Sequence, residues 1–121
     1  MKHPEILDGA AVVLIERGWH QGDYIPRGGD PKTCPCCVIA AMNVAAGKPP
    51  DDVLDYDLNP DVYTAAEALA EWLDLDADDG LTEVLGEGWN DDPSMTAERA
   101  IHGLRRCAAA ERAERAEEAR G

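Results

Sequence analysis

Thr33-Cys34-Pro35-Cys36-Cys37-Val38-Ile39-Ala40-Ala41-Met42-Asn43-Val44-Ala45-Ala46-Gly47 is the stretch that decides the fold. Three of the four cysteines stand at its head, and a run of small apolar residues follows. Val38, Ala41, Met42 and Ala45 recur at helical spacing. Gly47 supplies a stop, and Pro49-Pro50 forbids resumption. Thr33 as N-cap and Pro35 in the first turn predict a helix over residues 35–46. This is the least polar segment of a very acidic chain, so it is the candidate central buried helix.

Working outward, the same reading finds three more helices. His3-Pro4 opens the first, with Ile6, Leu7, Ala10, Val13 and Leu14 at helical spacing and Gly18 as its stop. Asn59-Pro60 starts another, with Val62, Ala66, Leu69, Trp72 and Leu73 as its apolar stripe. The last begins near Thr96 and turns Ala97, Ala100, Ile101, Leu104, Cys107 and Ala108 inward. Two long loops separate these helices. Residues 19–32 are rich in glycine and proline, and residues 86–93 follow a single helical turn over Thr82 to Leu85. A loop of that length binds something or packs its own aromatics, here Trp19 and Tyr24.

No convincing strand run is present. The fold class is therefore all-α: a single small domain of about four main helices with two long loops. Residues 1–108 form the helical domain, and residues 109–121 form an exposed charged helical tail whose repeat of Ala, Glu and Arg lacks a larger apolar stripe. The length of 121 residues suits one modest core. Phenylalanine is absent, so the core is expected to be close-packed small residues, with three tryptophans as bulky fillers.

The net charge is −14, and it is unevenly placed. Sixteen acidic residues and no Lys or Arg lie between Asp51 and Glu98. Direct binding to nucleic acid or to an anionic membrane is excluded on that ground. No signal peptide is visible, because Glu5 and Asp8 interrupt the first apolar run, and a cytoplasmic location is expected. In that compartment the cysteines are thiols or metal ligands before they are disulfides.

Three short motifs occur in order: Gly18-Trp19 with Gly22; Cys37 to Met42 leading to Ala45 and Gly47; and Trp89-Asn90-Asp91 with Thr96 before a helix bearing Ile101 and Leu104. Together they resemble an uncharacterised domain family of small proteins from actinobacteria and their phages. Members of that family show Gly-Trp, a Cys-x-x-Gly-Ala helix and a Trp-Asn-Asp loop before a Thr-capped last helix. The resemblance spans roughly residues 6 to 108, and Ala40 stands where the family usually has glycine. It implies relatedness and an actinobacterial or phage source, and it carries no activity to transfer.

Several constellations carry possible chemistry. Cys34 and Cys37 form a Cys-x-x-Cys knuckle that His102 and Cys107, or His20, would have to complete for tetrahedral zinc, since no second knuckle exists. The blander alternative makes Cys37 and Cys107 small buried hydrophobes. A thiol in the first turn of a helix has its thiolate favoured, so Cys36 or Cys37 can act with His20 or His102, oriented by Asn90 or Asp91, in a Cys-His-Asn sense. No oxyanion donor or groove is legible beside them. Asp74, Asp76, Asp78 and Asp79 look at first like a calcium loop. Asp79 and Leu85 then occupy the positions where an EF-hand needs Gly and Glu, so a solvated acidic turn is the better reading.

Trp89, Asn90 and Asp91 are expected either to brace a turn or to meet the Gly-Trp loop over the central helix. In the second case Trp19, His20, Cys37, Trp89, Asn90 and Asp91 line a small pocket. The function that best fits the charge is a non-enzymatic protein-binding module. It would engage a basic protein partner through its acidic face, with Trp19, Trp89, Asn90, Asp91 and the Asp74–Asp79 carboxylates as binding residues and with no cofactor. In a phage protein such a face can imitate the phosphate array of DNA.

Overall fold

His3–Arg17 forms the first helix, α1, in the computed structural model, which describes residues 2–76 and 80–120. Pro4 occupies its first turn, where a missing N–H leaves nothing unsatisfied. Ile6, Leu7, Ala10, Ala11 and Leu14 make the buried face. Gly18 ends the helix at φ +98°, donating its N–H to the Leu14 carbonyl at 2.9 Å. A side chain would strain that backbone, so the glycine is a conformational requirement.

The quoted stretch forms α2, Val38–Ala45, which starts three residues later than the local signals predict. The cause lies in the loop before it. Trp19 and Cys36 form an isolated parallel bridge. The Cys36 N–H donates to the Gly18 carbonyl at 3.1 Å, and the His20 N–H donates to the Cys36 carbonyl at 2.9 Å. Cys37 in turn donates its N–H to the Tyr24 carbonyl at 2.9 Å. These bonds hold residues 36 and 37 extended, so Pro35 cannot open a helix. Cys37 becomes the N-cap instead, and its Sγ accepts the Ala40 N–H at 3.3 Å. Thr33 closes a turn on Asp30 rather than capping α2. From Val38 to Asn43 every residue of α2 is buried, as an all-round apolar helix requires.

Pro60–Trp72 forms α3, with Val62, Ala66 and Leu69 buried as their spacing predicts. A turn through Asp74, at φ +58°, leads away from it. The segment expected as one helical turn and then a loop is a π-helix, Glu83–Asn90. Its wider turn has a visible consequence. Leu85 and Asn90, five residues apart, are both buried. On an α-helix, at about 100° per residue, they would point about 140° apart. Ala97–Arg120 forms α4, and the Thr96 Oγ1 caps it by accepting the Arg99 N–H at 3.2 Å.

Among the α-helices, α1 packs extensively on α4, α2 and α3, while α2 lies between α1, α3 and the π-helix. The protein is one all-α domain, and no named strand occurs among the described residues. The largest fully buried side chains include Ile6, Leu7, Ile39, Met42, Leu69, Leu85 and Leu104, interleaved with alanines. The expected tryptophan fillers are therefore a misreading. Trp19 and Trp89 are half-buried at seams, and Trp72 is 39% exposed. Small residues let helices approach closely instead: a β-carbon on Gly9 of α1 would stand 2.9 Å from the Ala45 Cβ of α2. Beyond residue 108, α4 continues along α1, where Glu111 pairs with His3 at 2.7 Å and Arg112 pairs with Asp8. Among the described residues, no helix is long and apolar enough to cross a membrane.

Candidate functional site

The two unusual segments, the 19–36 loop and the π-helix, meet over the N-terminus of α2. Asn90, only 1% exposed, joins them. Its Oδ1 accepts the Trp19 Nε1–H at 2.8 Å and the Val38 N–H at 3.0 Å. Its Nδ2 donates to the His20 carbonyl and to the Asp91 Oδ1, both at 3.0 Å. An amide can accept two hydrogen bonds and donate two, so the side chain is fully used. Asp91 extends the clasp by accepting the Gly22 N–H at 2.9 Å. Gln21 adds two more bonds, from its Nε2 to the Asn90 and Asp92 carbonyls, each at 3.1 Å. The π-helical turn makes this possible, because it brings Asn90 onto the same inward face as Leu85.

Beside the clasp lies a pocket of about 130 Å³. Tyr24, Cys37, Thr82, Glu83, Asn90 and Asp91 are among its lining residues. Of the six residues expected around it, Cys37, Asn90 and Asp91 are there, and the rest are placed differently. Trp19 is committed to Asn90. His20 contributes its main chain to the clasp. Trp89 packs instead on α4, where Gly103 makes room: a β-carbon there would lie 2.9 Å from the indole Cζ2.

The chemistry of the pocket follows from burial. Burial pushes the Cys37 thiol up to about 11, outweighing the main-chain donors of Ala40 and Ile39 that favour its thiolate. Burial also raises the Tyr24 phenol. At neutral pH the pocket therefore presents a protonated thiol and a phenol, beside the side chains of Glu83 and Asp91. A thiolate nucleophile is not part of that set, and the Asn90 amide has no free group with which to orient an imidazole.

The remaining cysteines are also free and buried. Cys36 lies under the bridge, and burial raises its thiol. Cys107 sits between α4 and α3, directed at the Ala68 carbonyl at 3.8 Å, and burial pushes it up to about 12. Cys34, Cys37, His102 and Cys107 are not drawn into one ligand set. Among the described residues no group of three or more His, Cys, Asp or Glu could hold a metal ion. Asp74 and Asp76 border the turn after α3, while Asp78 and Asp79 lie outside the described residues. Sequence reasoning missed Gln21 and Tyr24. Neither carries a local signal, since one is a polar residue in a glycine-rich loop and the other an aromatic whose local pattern indicates only packing.

The model of the family described as a family of unknown function, DUF6197, matches residues 1–110, and the chain belongs to that family. No curated protein and no solved structure matches it.

Proposed function

We propose that this member of DUF6197 is a non-enzymatic binding module that engages a basic protein through its acidic half. The observation that carries the reading is the separation of charge by element. The segment from Asp51 to Glu98 holds sixteen carboxylates and no Lys or Arg, and it makes up α3, the π-helix, their connections and the start of α4. The arginines of the C-terminal half begin at Arg99 and are carried by α4. A one-sign surface of this kind steers an oppositely charged partner and repels nucleic acid and anionic lipid. The clasp around Asn90 serves that role as scaffold, fixing the π-helix so that its carboxylates stand in one arrangement. A cytoplasmic setting, and a host-directed role in actinobacteria or their phages, rest on the charge and the motif resemblance.

The test is capture from an actinobacterial lysate on the immobilised protein, followed by elution with rising salt. A basic protein released by salt is the expected result. Its release should shift to lower salt when Glu67 and Glu71 are changed to glutamine. Recovery of no basic protein, or binding indifferent to salt, overturns the reading.

A further inference from the structure

The connection between α2 and α3 is built as a display. Asn43, fully buried on α2, donates from Nδ2 to the Pro50 carbonyl at 3.0 Å and to the Asp52 carbonyl at 3.1 Å. Asn59, also buried, donates to the Val53 carbonyl at 2.6 Å and to the Asp52 Oδ2 at 3.2 Å. The Asp55 Oδ1 accepts the N–H groups of Asp57 and Leu58, at 2.8 and 3.2 Å. The backbone is thus tied down from both sides, yet its large apolar side chains face water. Val53 is 51%, Tyr56 61% and Leu58 69% exposed. Tyr56 continues onto α3 by an edge-to-face contact with Tyr63, with ring centroids 5.7 Å apart at 85°. Tyr63 in turn heads a groove of about 380 Å³ that runs beside α3, with Ala70, Leu75 and Leu81 as apolar lining and Glu67 and Glu71 as acidic lining.

Resting on the reading above that the partner is a basic protein, we propose that this strip, from Val53 to Glu71, is the docking surface. It receives a short amphipathic segment of the partner in which Lys or Arg flanks an aliphatic or aromatic anchor. An ordered loop that holds three large apolar side chains in water gains stability only when something covers them, and apolar anchors inside a polar rim are how binding surfaces concentrate their energy. The surrounding charge selects the occupant. The exposed carboxylates of Asp55, Asp57, Glu67 and Glu71 complement a cationic segment. A second copy of this chain would bring the same carboxylates face to face and be repelled.

The proposal is tested on the full chain, isotopically labelled, by following backbone resonances during titration with two probes. One is a synthetic peptide with Leu on one helical face and Lys on the other. The other is polylysine. The amphipathic peptide should perturb residues 53–58 and 63–71 in a saturable way and bind about tenfold more tightly than polylysine. The double variant Tyr56→Ser/Leu58→Ser should lose about that factor for the peptide while binding polylysine unchanged. Both residues are exposed, and an unaltered circular dichroism spectrum checks that the variant is folded. If the peptide instead binds no better than polylysine, perturbs all carboxylate-bearing segments alike, or ignores the double variant, the docking strip is wrong while the basic-partner reading stands. If neither probe binds, both fail.

Discussion

Asn90 shows how one side chain can hold three distant segments together. Replacing it with alanine would leave the Val38 N–H without its partner in a buried place, and the Trp19 indole N–H and the His20 carbonyl without theirs in half-buried ones. The Asn90→Ala variant should lose about 2–4 kcal/mol of stability, read from denaturant unfolding. Part of this was legible in the sequence, because an Asn-Asp pair beside a tryptophan is a turn-bracing signal. Its partners were not legible, because they lie 52 to 71 residues away and nothing local names them. Cys37 carries the second prediction at this scale. Its thiol has an ordinary value of 9.0 and is raised to about 11 by burial. Between those values the folded chain holds a proton that the unfolded chain has released, so stability is full below about pH 9 and falls as pH climbs toward 11. Cys107, raised to about 12, acts in the same direction. A Cys37→Ala variant should show a shallower alkaline decline in chemical denaturation. An unchanged slope would mean that the thiol is not held in its neutral form.

At the scale of elements, the helices whose ends carry their own chemistry were legible. Pro4 and Gly18 bracket α1, Asn59-Pro60 opens α3 and Thr96 caps α4. The start of α2 was not legible. Thr33 and Pro35 are sound local signals, but the bridge between Trp19 and Cys36 takes up the backbone first. The π-helix was missed for a related reason: Gly86 and Gly88 read as a loop, and only the clasp on Asn90 rewards the wider turn. Helix packing yields a third prediction. Gly9→Ala should raise helix propensity by about 1 kcal/mol. Its β-carbon nevertheless meets the Ala45 Cβ at 2.9 Å, so the variant should be less stable overall, by about 1–3 kcal/mol. Adding Ala45→Gly should relieve the clash, and a double-mutant cycle on thermal unfolding would reveal the coupling.

Across the whole molecule, charge and topology pull in different directions. The acidic half repels itself, and screening reaches about 8 Å at physiological salt. Added salt should therefore raise the unfolding temperature. The surface pair Arg112–Asp8 weakens in salt, but an exposed pair contributes only about 0–1 kcal/mol and does not reverse the trend. A falling transition temperature with sodium chloride would show instead that ion pairs dominate. Charge segregation was plain in the sequence. That α1 rather than α2 packs extensively on every other α-helix was not, since both read as apolar helices of one core. The clasp also has a kinetic meaning. Trp19 and Asn90 are separated by 71 residues, so the entropy of closing that span must be met before the bonds between the loop and the π-helix can form. The helices can nucleate and begin to pack while the 19–36 loop is still unpinned. A clasp that sets after the helices have packed is the expectation that kinetics can check. Asn90→Ala should accordingly speed the unfolding limb of a chevron and leave the folding limb nearly unmoved.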